Sequence, residues 1–304
     1  MKTFDVVLLT DHRYVSPKEN NQYIKNVLTE DGLVEKALNK LGLRTTKKDW
    51  NDSNFDWDST HIALFRTTWD YFDQFPNFNN WLEKVKTKCT LINNYEQIRW
   101  NLDKHYLNDL KKWGVHIPKS EFIKRNSNIS LEETSSNNNW YEIVIKPTIS
   151  GAARHTYRLK NEEIKNFESK WENLISNEDF IIQEFQNNII EKGEVAIMLF
   201  GGQYTHSVIK KAKSGDFRVQ DDFGGSVENY QPSKEMIALA KKAIKQLKPT
   251  PAYARVDIIW DNESKIAVSE LELIEPELWF RFNESAADKL AAEIKDFLKN
   301  LTSS

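Results

Sequence analysis

Two neighbouring stretches constrain this chain most: AYARVDIIW at 252–260 and KIAVSELELI at 265–274, separated by the short polar run DNES. Each is apolar, rich in β-branched residues and long enough for a strand, and the run between them is turn chemistry, so together they read as a β-hairpin. Side chains alternate faces along a strand. Arg255 and Asp257 therefore share a face, with Ala254, Val256 and Ile258 opposite. On the second strand, alternation puts Glu270 and Glu272 on one face with Val268, and Leu271 and Leu273 on the other. Closing the hairpin brings Arg255 and Asp257 near Glu270, in a register that the sequence leaves open.

Carboxylates gathered in this way repel one another and resist leaving water. A strand whose polar face meets solvent is the commoner fate of such alternation. The Arg-Val-Asp run on the partner strand favours the other reading, a hard divalent cation. Mg²⁺ takes oxygen ligands, usually one or two carboxylates plus substrate phosphates. Arg255 supplies a further positive charge.

At 304 residues the chain exceeds what one core usually takes, so two or three domains are expected. Its 39% hydrophobic content, with 10 Trp, 10 Tyr and 16 Phe, is enough to bury a sizeable core. A formal net charge of -3 gives no reason to expect nucleic-acid or membrane partners. Cys89 is the single cysteine, so no internal disulfide forms and a reducing compartment fits. The opening MKTFDVVLLTDHRYV has an apolar run too short for a signal peptide, and no run approaches a membrane span. A soluble, cytoplasmic protein is expected.

Along the chain, 4–10, 61–69 and 89–93 read as short buried strands, and 21–43 and 78–86 as helices between them. That alternation predicts a small open α/β unit. Residues 98–115 read as one amphipathic helix, 126–139 as a polar surface loop, and 142–147 and 180–185 as strands. A hairpin turning at Gly201-Gly202 is expected over 194–212, then a glycine-rich loop at 214–226 and helices at 233–248 and 284–301. Several nucleotide motifs are missing. There is no P-loop, no G-x-G-x-x-G after the first strand, no zinc spacing among the histidines and no G-x-S-x-G elbow.

Eight segments, in order, carry a resemblance. They are FRTTWDYF (65–72), IRWNLDKHYLNDLKKWGVHIP (98–118), VIKPTISGAARHTYR (144–158), QEF (183–185), GEVAIMLFGGQYTHSVIKK (193–211), SGDFRVQDDFGGS (214–226), YARVDI (253–258) and SELELIEPEL (269–278). The chain resembles the ATP-grasp ligases, within them the glutathione-synthetase and RimK-like branch, and more narrowly enzymes of the O-ureido-serine cyclo-ligase type. The resemblance implies an α/β protein with the ATP-grasp fold: a Rossmann-like pre-ATP-grasp domain at 1–94, a first ATP-grasp lobe at 95–184 and a second, metal-binding lobe at 185–304. It implies ATP and Mg²⁺ (or Mn²⁺), a small-molecule carboxylate and amine as substrate, and a homo-oligomer, dimer or tetramer.

By position, the resemblance implies that Lys104 and Lys146 reach the phosphates of ATP and that Ser150 and Gly151 belong to the loop closing over them. Gln183, Glu184 and Phe185 match the hinge that meets the adenine edge, and Glu194 the acid that holds the ribose. Lys210 and Arg218 match basic groups facing phosphate or substrate. Asp257, Glu270 and Glu272 match the metal ligands, and Arg255 the arginine beside the transferred phosphate. Many ATP-grasp enzymes carry Asn where this chain has Glu272. Arg66, Trp69 and Asp70 are candidates for the substrate, with Arg66 suited to clamp a carboxylate in bidentate fashion. Asp11 and Arg13 end the first strand, where open α/β sheets bind ligands. Glu275 is expected in a solvated loop. The implied chemistry is C–N ligation through an acyl phosphate, as ring closure in one molecule. The alternatives are joining two amino acids or peptides, or binding ATP without catalysis.

Overall fold

The computed structural model describes residues 2–19, 21–213, 215–219 and 224–302. Among them the strands form three sheets, each with its own helices. In the first, β1 (Phe4–Thr10), β2 (Thr45–Asp49), β3 (Thr60–Thr67) and β4 (Thr90–Ile92) run parallel in the order β2-β1-β3-β4. Parallel strands need crossovers, supplied by α2 (Gln22–Lys40) and α3 (Phe75–Val85), while the short α1 (His12–Val15) caps the end of β1. The helix α2 stops at Gly42, whose φ of +81° suits a residue without a Cβ. The charged strand TTKKD was not expected. It is half-buried at the sheet edge, where no hydrophobic period betrays it.

Next come α4 (Tyr95–Asn101) and α5 (Tyr106–Lys112). The single helix expected over 98–115 is thus broken. The Asp103 carboxylate accepts from His105 N at 3.0 Å, and Lys104 N donates to Thr148 O at 2.9 Å. A short acidic side chain competes for backbone donors in this way, and the helix yields. The second sheet, β5 (Ser120–Ile123), β8 (Phe180–Glu184), β6 (Glu142–Pro147) and β7 (Tyr157–Lys160), is antiparallel in that order. It carries α6 (Leu131–Asn138) and α7 (Asn161–Ile175). The helix α6 replaces the surface loop expected at 126–139. Ser130 Oγ caps it by accepting from Glu133 N, and Leu131 is fully buried, signals too short to outweigh seven polar residues.

The third sheet takes the order β11-β10-β9-β12-β13, from β9 (Glu194–Phe200), β10 (Gln203–Lys211), β11 (Ser226–Asn229), β12 (Tyr253–Trp260) and β13 (Ile266–Glu272). The hairpin turns at Gly201-Gly202 as expected. The loop expected at 214–226 lies partly outside the described residues, at 214 and 220–223. The strand β13 is an edge, and edge donors need partners. Leu271 N donates to Tyr106 Oη and Leu273 N to Asn101 Oδ1, so the broken helix seals it. Around this sheet lie α8 (Asn188–Lys192), α9 (Lys234–Ile244) and α10 (Ser285–Thr302). One apolar cluster joins Val6, Leu8, Ile62 and Leu64 of the first sheet to Met198, Tyr253, Phe280 and Leu290, so the first and third sheets share a core.

The expected alternation along β13 fails at one residue. Arg255 pairs with Glu272, Val256 with Leu271 and Asp257 with Glu270, but Ile258 pairs with Val268. Ser269 is the extra residue of a β-bulge. Val268 therefore joins Leu271, Val256 and Ile258 in the core, and the face shared with Glu270 is lost.

Candidate active site

The register of β12 and β13 places Asp257, Glu270 and Glu272 so that one oxygen from each lies within 4.8 Å of the others. The bulged Ser269 hydroxyl donates to Glu194 Oε2 at 2.8 Å and to Asp257 O at 3.1 Å, so the bulge itself is fastened. Arg255 grips Asp257 with Nε at 3.0 Å and Nη2 at 2.9 Å, and Nη2 also donates to Glu272. Lys210, opposite on β10, donates to Asp257 Oδ2 at 2.9 Å and meets Glu194 Oε1 at 2.5 Å. Lys104 comes from the gap between α4 and α5. Its Nζ lies 3.1 Å from Glu270 Oε1 and 2.9 Å from Ser150 O. At 7% exposure, Lys104 is no solvent-facing helix lysine.

Charge compensation is uneven. Burial pushes the Glu270 carboxyl up, but Lys104, Lys146 and Arg255 outweigh it and hold it below the usual carboxylate range. Glu272 goes the other way: burial raises it, Arg255 offsets only part, and Glu270 and Asp257 add to the rise. For Lys210, burial is overcome by Asp257 and Glu194, and its ammonium is held above its ordinary value. Lys146 is different. Burial draws its pKa down, Glu270 resists and Lys104 adds to the fall.

These groups line one cavity of about 450 Å³. Ser150, Gly151, Gln183, Glu184, Phe185, Arg218 and Trp69 line it too. A Cβ on Gly151 would come within 2.6 Å of Phe72 Cε1, so only glycine lets this loop lie on the first unit. Gln183 Nε2 donates to Ser120 Oγ, Glu184 faces Lys119 at 3.5 Å, and the Phe185 ring lies under the Arg158 guanidinium at 3.8 Å. Arg218 grips Asp216 through Nε and Nη2.

Two expected substrate residues do not reach the cavity lining. Arg66 is 1% exposed, faces Asp31 at 3.6 Å and lies over the Phe280 ring. Asp70 accepts from Trp50 Nε1 at 2.7 Å and from Gln74 Nε2 at 2.9 Å. Glu275, expected in a solvated loop, does line the cavity. Its carboxyl meets the Tyr71 hydroxyl, and burial with the nearby Glu272 charge raises it to about 8. Trp69 Nε1 donates to Glu275 O at 2.8 Å. Tyr71, Tyr14 and Tyr23 also line the cavity and were not singled out from sequence, because a lone aromatic in a turn, as Tyr71, or in the first turn of a helix, as Tyr14 and Tyr23, carries no signal of its own.

The residues present fit a metal–nucleotide. Three carboxylates offer a hard cation its oxygen ligands, and Lys146 has a depressed ammonium that an anion would relieve. Residues 115–270, just over half the chain, match the family model of the prokaryotic glutathione synthetase ATP-grasp domain. The chain belongs to the ATP-grasp family. Residues 6–93 match the N-terminal domain of D-cycloserine synthetase DcsG. The cycloserine biosynthesis protein DcsG of Streptomyces lavendulae is 25% identical over 278 residues, covering 86% of this chain and 92% of that protein. In fold, this ATP-grasp chain is similar to the crystal structure of D-cycloserine synthetase DcsG, with a TM-score of 0.84 at 24% identity over 96% of this chain and 99% of that one. It is also similar to D-alanine–D-alanine ligase from Bacillus anthracis, with a TM-score of 0.66 at 14% identity over 98% of each chain. As an ATP-grasp ligase, the chain is an enzyme that joins carbon to nitrogen with ATP and Mg²⁺ or Mn²⁺, acting on small molecules. Among the described residues, no helix is long and apolar enough to cross a membrane.

Proposed function

We propose that this enzyme closes a ring within one amino-acid-like molecule, and that the substrate is of the O-ureido-serine type. The observation that carries this reading is the origin of the cavity wall around Trp69. Trp69 and Tyr71 belong to residues 6–93, the segment matched by the DcsG N-terminal domain, and they meet Glu275 beyond the acidic strand. The non-nucleotide end of the cavity is thus built from the segment that this chain shares with a D-cycloserine synthetase.

In this reading Asp257, Glu270 and Glu272 hold the metal, which when bound supplies charge neutralisation for the phosphates. Lys104, Lys146 and the loop at Ser150 and Gly151 cradle the phosphates. Gln183, Glu184 and Phe185 meet the adenine edge, and Glu194 the ribose. The substrate carboxylate attacks the γ-phosphorus, ADP departs, and an acyl phosphate forms. The substrate's own nitrogen then attacks the acyl carbon and phosphate leaves. Arg255 is positioned to stabilise the developing oxyanion, with Lys210 and Arg218 flanking. Most of the rate comes from positioning and fixed charge. The division into units at 1–94, 95–184 and 185–304, a cytoplasmic location and a homo-oligomeric state belong to the same proposal.

The test is Mg²⁺-dependent ADP release from the full chain with O-ureido-D-serine or O-ureido-L-serine as the sole carboxylate, followed by the mass of the product. Equal amounts of ADP and a ring-closed product from one compound support the proposal. A requirement for a second amine compound overturns it in favour of intermolecular ligation.

A further inference from the structure

Arg13 is a charged side chain in the cavity wall that the ligation chemistry above does not use. It follows the end of β1. Asp11, fully buried, accepts from Arg13 N at 2.8 Å, from Nε at 3.0 Å and from Nη2 at 2.6 Å. Backbone and guanidinium are therefore clamped by one carboxylate. The guanidinium also lies over the Tyr14 ring, 5.3 Å from its centroid. Among the described residues, no hydrogen bond occupies Nη1. A guanidinium held on one side and open on another is a pre-oriented donor, and ordering it on binding costs little rotamer entropy.

Aromatic rings continue this wall. Trp69 meets Tyr14 edge-on at 5.7 Å and Tyr23 at 6.4 Å. Trp69 is in turn tied to Glu275 O, three residues past Glu272. The wall thus runs without a break from Arg13 to the strand that carries the acidic cluster. Rings beside a fixed donor suit a planar group that accepts hydrogen bonds. Arg66, the clamp expected from sequence, is instead buried beside Asp31 and the Phe280 ring and lines no part of the cavity.

We infer that Arg13, with Tyr14, Tyr23 and Trp69, forms a specificity subsite that reads the planar oxygen acceptor at the tip of the substrate's arm, either a carbamoyl group or a carboxylate. The inference rests on the ligase reading for the placement of the reacting carboxyl.

Calorimetric titration of the full chain tests it, with O-ureido-serine, glutamate and serine as probes, each in both hands. Serine shares the amino-acid head and lacks the long planar arm. The wild type binds O-ureido-serine or glutamate more tightly than serine, and whichever binds better names the acceptor. Arg13→Met shrinks that preference by about 10- to 100-fold, the worth of a hydrogen bond from a charged donor, with ATP affinity unchanged. Because methionine leaves Asp11 buried and unpaired, the double variant Asp11→Asn/Arg13→Met is measured beside it and shows the same loss. An undiminished preference in the folded variants, or a wild type that holds serine as tightly as both armed compounds, overturns the subsite. ADP release followed in parallel separates the two readings. Arg13-dependent binding without ADP release sinks the cyclo-ligase and keeps the subsite. ADP release with an unchanged KM in Arg13→Met does the reverse.

Discussion

Two charged clusters are drawn into the interior of this protein, and they are built on opposite plans. Around Asp257, Glu270 and Glu272, carboxylates crowd within 4.8 Å, Arg255, Lys104 and Lys210 reach in from separate elements, and the assembly opens onto a cavity. Around Asp31, a single carboxylate meets Arg66 at 3.6 Å, Lys47 at 3.5 Å and Thr67 Oγ1 at 3.2 Å. That second cluster is closed by the Phe280 ring and lines no part of the cavity. Burial raises the Asp31 carboxyl in spite of the attraction of Arg66 and Lys47. Three carboxylates grouped at a cavity, basic partners included, offer oxygen ligands to a cation from outside, whereas the single carboxylate sealed with its bases ties α2 to β3. Buried charge alone does not mark an active site; several carboxylates gathered at an open cavity point to one.

The largest effect should come from the crowded cluster. Glu270→Gln, with the same shape and no charge, is expected to cut ATP turnover by roughly 10³-fold or more, while circular dichroism reports the native fold. Turnover at the wild-type rate would remove Glu270 from the metal set. Arg255→Lys keeps the charge and loses the two-pronged grip on Asp257, and kcat should fall by about 10²- to 10³-fold.

The sealed cluster should answer in stability instead. Arg66→Met leaves Asp31 buried without its guanidinium, and denaturant titration should show a loss of about 3–5 kcal/mol. The KM for substrate should hold in the protein that folds. A variant with an unchanged midpoint and a raised substrate KM would break the comparison and return Arg66 to the site.

Smaller effects sharpen the boundary between the two. Gly151→Ala drives a methyl into Phe72, an overpacking that costs about 1–3 kcal/mol. The KM for ATP should rise, and Phe72→Leu should restore it. No rise would mean that the loop is not held against Phe72 when ATP binds. Glu275 offers a titration. Its pKa in the fold, about 8, stands above the 4.5 of the free side chain. The stability it contributes is therefore full below pH 4.5 and is lost as pH climbs through 8. Glu275→Gln removes that slope, so its gain in Tm over the wild type should grow from pH 5 to pH 9. A gain independent of pH would place the charge of Glu275 in solvent.

How far the sequence could be read depended on the kind of signal. Strands buried on both faces, such as β9 and β12, were legible, because they read as short, mainly apolar runs. The strand TTKKD and the helix LEETSSNN were not, because the strand is only half-buried throughout and the helix buries a single apolar side chain, Leu131. Lys104 and Glu194, which line the cavity, were singled out through the order of motifs. Arg13 and Glu275 stood within view as sequence, but nothing local separates Arg13, which lines the cavity, from Arg66, which is buried elsewhere.

By itself, the sequence determined that acids would be concentrated on the last hairpin, that Arg255 and Asp257 would share a face of its first strand, and that Lys104, Lys146 and Lys210 would precede it in the order seen in the ATP-grasp ligases. Only the tertiary structure decided that Asp257 stands opposite Glu270. Without the bulge at Ser269, the register of Ile258 with Val268 would continue, and Asp257 would face Ser269. Alternation fixes which side of a strand a residue occupies, but one inserted residue reverses it. Here the insertion is held by hydrogen bonds from Ser269 to Glu194 and to the Asp257 carbonyl, groups that lie 75 and 12 residues away along the chain. The same holds for Lys104, whose place in the cavity follows from a break in a helix fastened to Thr148. Both are contacts between distant segments, and these form only once the chain has folded.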